Sequence, residues 1–125
     1  MMHNSALPLV SVVMTVRNVE AYISETLASI LQERDVPLEV VLVNNGCTDS
    51  TVEKVLAFND ERVRIIEGPR KGISHALNVA YAEVRGEIIM RCDGDDLFPP
   101  DRIQRQSQWL LEHPEFGAVC GGFLT

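Results

Sequence analysis

The sequence predicts an α/β domain built on an open, mostly parallel sheet with helices on both faces. Short runs of apolar and β-branched residues alternate along the chain with stretches in which apolar residues recur at helical spacing. The short runs are apolar at nearly every position, which is typical of parallel strands buried on both faces. Strands that alternate with helices indicate βαβ units, and right-handed crossovers place the helices on both faces of the sheet.

The first two β-α units lie in the amino-terminal half. The first predicted strand is Leu9–Thr15, followed by Asn18 as the predicted N-cap of a helix. The second predicted strand is Leu38–Val43, and Ser50–Glu53 is predicted to be a capping box that opens the second helix. The residues expected to face inward are Ile23, Leu27, Ile30 and Leu31 in the first helix and Val52, Val55 and Leu56 in the second.

Two further units follow. Val63–Ile66 and Glu87–Cys92 are the third and fourth predicted strands, and Pro99 precedes the fourth helix. His113 is expected to end that helix, and Phe116–Cys120 is apolar and β-prone. The residues expected to face inward are Ile73, Leu77, Ala80, Tyr81 and Val84 in the third helix and Ile103, Ser107, Leu110 and Leu111 in the fourth.

Length, composition and charge limit the classes of protein. The chain has 125 residues, of which 46% are hydrophobic, and we expect residues 1–125 to form one domain. A net charge of −7 disfavours a nucleic acid partner. Neither a signal peptide nor an apolar run long enough for a membrane span is visible, so we expect a cytoplasmic protein. Cys47, Cys92 and Cys120 contain no CxxC spacing and are expected to be reduced thiols.

An acidic turn follows the fourth predicted strand. Asp93, Asp95 and Asp96 lie within four residues, so their carboxylates repel one another unless a cation is present. Mg²⁺ and Mn²⁺ prefer oxygen ligands and often bind carboxylates together with phosphate oxygens. Ligands of open α/β sheets bind beyond the carboxyl ends of the strands, where this turn is expected to lie. The alternative is a solvated acidic turn that assists the next helix.

Other polar residues follow the first three strands. Asn45 can hydrogen-bond to a base edge, although it can also be simply a turn residue. Arg17 can stack on a base or meet a phosphate, or it can be an ordinary surface arginine. Arg70 and Lys71 precede the third helix, whose N-terminus favours anions, but they can equally be solvated charges. We expect the residues that follow the strands to converge on one edge of the sheet.

Four segments together resemble the family 2 glycosyltransferases, which have a GT-A fold with a Rossmann-like nucleotide-binding half. VSVVMTVRN is similar to the first strand and base-binding turn of that family, and EVVLVNNGCTDST is similar to its next strand and turn. The stretch from Lys71 through GISHALN resembles its glycine-led helix, with Asn78 as the family's asparagine. GEIIMRCDGDDLFPPDRI resembles its metal-binding Asp-x-Asp segment. The four segments occur in the family's order over nearly the whole chain.

The resemblance implies a donor site for a nucleoside diphosphate sugar. Thr15 and Arg17 would border the base, and Asn45 would read its Watson–Crick edge. Asp93 and Asp95 would contact the ribose and the metal-bridged diphosphate, with Asp96 completing the metal site. The family commonly has an aromatic residue in place of Arg17 and two aspartates in place of Asn44-Asn45. Because Asn45 can still accept a hydrogen bond from an imide N–H, a UDP-sugar is the first choice of donor, and thymine and guanine donors stay open.

The resemblance also implies transfer of the sugar to a saccharide, polysaccharide or lipid-linked acceptor. The family's general base and acceptor segments lie downstream of the Asp-x-Asp strand, so no catalytic base is assigned within residues 1–125. We expect a C-terminally truncated chain that is inactive alone and self-associates near Phe116–Phe123. The alternatives are a non-catalytic nucleotide-sugar-binding module and a nucleotidyltransferase, although VRNVEAY is not the glycine-rich phosphate loop usual in the latter.

Overall fold

The structure is a computed structural model that describes residues 8–93 and 97–113. Four strands alternate with four helices along these residues: β1 (Val10–Val16), α1 (Ile23–Leu31), β2 (Leu38–Asn44), α2 (Thr51–Leu56), β3 (Val63–Glu67), α3 (Ile73–Glu83), β4 (Ile88–Arg91) and α4 (Arg102–Glu112). None of the described helices is long and apolar enough to cross a membrane. The β-prone segment predicted at 116–120 and Cys120 lie outside the described residues.

The strands form one parallel sheet in the order β3-β2-β1-β4. Val16 at the end of β1 is opposite Asn44 at the end of β2, and Asn44 is opposite Glu67 of β3. Val13 of β1 is opposite Arg91, the last residue of β4. The prediction of an α/β fold with a parallel sheet is therefore confirmed, and each predicted strand overlaps the observed one.

Side chains from alternate positions of the central strands fill two cores on opposite faces of the sheet. On one face, Val12 and Val40 pack with buried residues of α1, α2 and α4. On the other face, Val13 and Val41 pack against Ala76 and Ala80 of α3. β1 and β2 are therefore apolar at nearly every position because both of their faces are covered. Helices lie on both faces, as predicted.

The predicted N-terminal cap of α1 is wrong, whereas α2 begins where it was predicted, after Ser50, but without the predicted bond from the Ser50 side chain. Helix α1 begins at Ile23, whereas Asn18 has a φ of 54° and its Oδ1 accepts hydrogen bonds from the next loop. Ser50 makes no side-chain cap bond to α2; instead Asp49 Oδ1 accepts a hydrogen bond of 3.0 Å from the Thr51 N–H. The Asn18 side chain is not available to α1 because it bonds to the loop after β2 instead.

The inward faces of three helices also differ from the prediction. In α3, Ala76 and Ala80 are buried while Ile73 and Tyr81 are exposed, because small side chains allow the helix to lie close to the sheet. Two more residues that were predicted to face inward are exposed, namely Leu56 in α2 and Leu111 in α4. The predicted inward residues of α1 are all buried.

Candidate functional site at the carboxyl edge of the sheet

The carboxyl ends of β1, β2 and β4 lie at one edge of the sheet. β1 is the central of these three strands and pairs in parallel with both neighbours. The residues that follow them, namely 17–18, 45–49 and 93, therefore lie along the same edge, and we call this set the rim. Three of the predicted site residues, Arg17, Asn45 and Asp93, therefore belong to the rim.

The two loops of the rim after β1 and β2 are joined by hydrogen bonds. The Asn45 N–H donates to the Val16 carbonyl oxygen at 2.9 Å, which extends the pairing of the two strands by one residue. Asn18 Oδ1 accepts from the N–H groups of Thr48 at 2.8 Å and Asp49 at 3.3 Å. The left-handed backbone at Asn18 suits an asparagine, which adopts this conformation more readily than most residues. The two loops consequently form one connected surface.

Asp49 and Glu20 support this surface, a role that the sequence pattern did not indicate for either residue. Asp49 Oδ2 accepts from the Glu20 N–H at 3.2 Å, and Glu20 Oε1 accepts from the Ser50 N–H at 2.8 Å. Desolvation alone would raise the pKa of the Asp49 carboxyl, but hydrogen bonds from Thr51 and Glu20 lower it. Asp49 is therefore a charged structural acceptor. The only sequence signal was the acid before the helix, which resembled an ordinary capping position.

The adjacent residues Asn44 and Asn45 have different environments. Asn44 is buried; its Nδ2 donates to Glu67 Oε2 at 3.2 Å and its Oδ1 accepts from the Cys47 N–H at 2.9 Å. Asn45 is half-buried, and its Oδ1 accepts from the Arg70 N–H at 3.1 Å. The loop that precedes α3 is therefore attached to the rim through Asn45.

Basic side chains flank the rim. Arg17 is exposed at the end of β1, and Arg70 and Lys71 are exposed where the chain enters α3. Because the Arg70 N–H bonds to Asn45, the first turn of α3 lies beside the rim, and the N-terminus of a helix favours anions. Thr15 is half-buried inside β1, opposite Val43, so its position is close to the rim but within the strand.

Asp93 is the described part of the predicted acidic turn. It follows β4 after Cys92, and its side chain is 54% exposed. One carboxylate oxygen lies 3.5 Å from Arg91 Nη2, which is a long and exposed ion pair. The preceding Cys92 is buried, and its N–H donates to Val13 O at 3.0 Å, so the strand pairing fixes where Asp93 emerges. Asp95 and Asp96 lie outside the described residues.

The metal ligands predicted from the sequence are therefore only partly placed. Within residues 8–93 and 97–113, no three His, Cys, Asp or Glu side chains are grouped closely enough to hold a metal ion. Asp93 is the one proposed ligand in these ranges, and the proposed set of Asp93, Asp95 and Asp96 stays a prediction.

Known proteins share this fold and sequence pattern. The chain is 38% identical over 104 residues to a hyaluronan synthase of Pasteurella multocida, which corresponds to 82% of the chain and 11% of the synthase. It resembles the mannosyltransferase PcManGT from Pyrobaculum calidifontis, solved in complex with GDP-Man and Mn²⁺ (TM-score 0.77, 33% identity, 86% of this chain and 33% of that one). It also resembles residues 1–349 of S. aureus TarS in complex with UDP (TM-score 0.72, 29% identity, 84% and 32%).

The chain spans a ninth of the synthase and about a third of each of these solved chains. The likeness to the solved structures confirms the predicted GT-A type of fold. The model of the family described as "Glycosyl transferase family 2" matches residues 11–124 and so includes all of the rim. The chain belongs to glycosyl transferase family 2.

Proposed function

We propose that this chain forms the donor-binding part of a glycosyltransferase that takes a nucleoside diphosphate sugar together with a divalent cation. The observation that carries the proposal is the rim itself, where an amide (Asn45), a carboxylate (Asp93) and exposed arginine side chains lie at one edge of a parallel sheet. A ligand with a base at one end and a charged diphosphate at the other suits this combination. The solved relatives bound to UDP and to GDP-Man with Mn²⁺ support it.

The base would lie against the connected loops after β1 and β2. Asn45 would hydrogen-bond to the edge of the base, with Thr15 and Arg17 at its border. Hydrogen bonds between these loops hold the surface in one shape before a ligand binds, which reduces the entropic cost of binding. UDP is the first nucleotide to test.

The diphosphate would lie between Asp93 and the start of α3. Lys71 and Arg70 supply positive charge there, but Asp93 and the net charge of −7 oppose an anion. A divalent cation bound to the acidic turn would neutralise the diphosphate and stabilise it as a leaving group. Asp93 fits such a role, since its carboxylate is exposed and has only a long contact to Arg91. Asp95 and Asp96 are proposed as the other ligands.

Calorimetric titration with UDP, GDP and CDP in Mn²⁺ and in chelator tests donor binding. We expect the best nucleotide to bind at least about tenfold more tightly with Mn²⁺, because the cation removes the repulsion between carboxylate and phosphate. Asp93→Asn should abolish most of this gain, whereas Asp35→Asn, an exposed aspartate in the loop before β2, should leave it intact. Equal affinity in Mn²⁺ and in chelator would refute the proposed role of the acidic turn.

The chemistry is tested separately from binding. Sugar released or transferred from a labelled UDP-sugar, with saccharide and lipid-linked acceptors, would demonstrate a transferase. Metal-dependent binding without release or transfer under any of these conditions would favour a nucleotide-sugar-binding module.

A further inference from the structure

The orientation of the Asn45 side-chain amide is fixed by the backbone of Arg70. The Arg70 N–H is a donor only, so the group it meets at 3.1 Å must be the carbonyl oxygen of Asn45. The assignment of the two ends of the amide therefore follows from its partner. None of the described residues accepts a hydrogen bond from Asn45 Nδ2, so the N–H donors are the free end of this half-buried amide.

Asn44 does not offer a similar group. Its Nδ2 donates to Glu67 and its Oδ1 accepts from Cys47, so both ends of that buried amide are occupied within the protein. Asn45 follows the end of β2, and its own N–H pairs with Val16 at the end of β1. It is consequently the amide that reaches the surface where the base is proposed to lie.

We infer that Asn45 presents an N–H donor to the base, and that the site therefore does not select uracil over cytosine. This inference rests on the proposed function. Uracil carries a hydrogen on N3 and cytosine a lone pair, whereas both bases share the C2 carbonyl. A carboxylate at position 45 would accept from uracil N3–H but would repel the lone pair of cytosine N3.

The Asn45 amide removes this preference for uracil, because it offers N–H donors as well as an acceptor. Its Nδ2 can donate to cytosine N3 or to the C2 carbonyl of either base. Uracil N3–H can bond only to the second lone pair of Oδ1, because the Arg70 N–H already occupies the first. The Arg70 backbone N–H occupies one end of the side chain at position 45. The end that stays available for the base thus sets the base selectivity.

The ratio of UDP to CDP affinity in Mn²⁺ tests the inference. In the wild type we expect UDP to bind no more than about threefold more tightly than CDP, because the Asn45 amide can form a hydrogen bond with either base. In Asn45→Asp, one carboxylate oxygen can keep the Arg70 N–H while the other accepts uracil N3–H. That variant should therefore favour UDP by about tenfold or more.

Asn59→Asp is the matched control. It adds the same negative charge at an exposed position after α2, outside the rim, so the UDP:CDP ratio should not change. A wild-type preference for UDP beyond threefold, or an Asn45→Asp ratio equal to that of the wild type, overturns the inference. If neither nucleotide binds the wild type in Mn²⁺, the proposed function itself fails. The wild-type ratio remains decisive even if Asn45→Asp does not fold.

Discussion

Asn44 illustrates how a single neighbour can decide which residue type a position tolerates. Where the family commonly has two aspartates, this chain has Asn44 and Asn45. The carboxylate of Glu67 lies 3.2 Å from Asn44 Nδ2, so an aspartate at the buried position 44 would place its carboxylate against that of Glu67. The amide donates to Glu67 instead and still accepts from the Cys47 N–H. The departure at position 44 therefore has a structural reason.

Asp60 is expected to make the stability of the protein dependent on pH in the acid range. Hydrogen bonds from the side chain and N–H of Arg62 lower the pKa of Asp60 from 3.8 to about 2. A lowered pKa in the folded state stabilises the protein above the unfolded value of 3.8, and this contribution is lost as the pH falls from 3.8 towards 2. Its full size is about 2 kcal/mol, at roughly 1.4 kcal/mol per pKa unit.

Urea denaturation of Asp60→Asn at two pH values checks this expectation. The variant should be less stable than the wild type at pH ~6, and the difference should shrink by pH ~2.5 as the wild-type carboxyl becomes protonated. Arg62 keeps its bonds to the carbonyl oxygens of Leu31 and Glu33 in the variant, so the loss is confined to the aspartate. A difference that stays constant with pH would contradict the assignment.

At the scale of elements, the sequence predicted strands better than helix ends. Each strand was found because its apolar and β-branched residues depend on burial by the whole sheet, a condition that every residue of β1 and β2 except Thr15 satisfies. The N-terminus of α1 was mispredicted because Asn18 bonds across 30 residues of chain to Thr48 instead of capping the helix. Periodicity also could not show that α3 would use Ala76 and Ala80 rather than its larger residues.

The junction between α3 and β4 is expected to depend on Gly86. A Cβ atom at this position would lie 2.6 Å from both Leu9 O and Ser11 Oγ, too close for any side chain. The Gly86 N–H also donates to Ser11 Oγ, which in turn donates to the buried Glu39. Gly86→Ala should therefore destabilise the protein by roughly 1–3 kcal/mol, the usual cost of overpacking.

Chemical denaturation measures this cost, and the adjacent Arg85→Ala is its control. Arg85 is exposed and contributes its backbone N–H to Glu39, which an alanine retains, so its loss should be much smaller. Equal destabilisation by the two variants would show that steric crowding at Gly86 is not the cause of the loss in stability.

At the scale of the whole molecule, the position of the site could be predicted because it follows from connectivity. Parallel strands joined by helices must end at the same edge, so Arg17, Asn45 and Asp93 had to be gathered there. The hydrogen bonds that hold the loops of that site in place could not be predicted in the same way. The bond from the Arg70 N–H to Asn45 depends on how the loop before α3 folds back, which no local pattern encodes.

The same architecture predicts where the molecule opens first. β1 pairs with a strand on each side, and Val10, Val12, Val13 and Met14 are fully buried, whereas β3 lies at an edge of the four described strands and is at most half-buried. Helix α2 has six residues, of which only Thr51 and Val55 are buried. Local opening is easiest where few apolar contacts are lost, so amides in β3 and α2 should exchange with solvent at least about tenfold faster than those in β1.

Hydrogen exchange followed by mass spectrometry, with peptides that cover residues 10–16, 51–56 and 63–67, measures this order directly. β1 should exchange at the rate set by global unfolding, because its amides cannot open without disrupting both cores, while α2 can separate from one core alone. Equal rates in all three segments would mean that the domain opens only as a single cooperative unit. The expected gradient would instead show that the central strand persists as a rigid base for the rim while the peripheral elements open around it.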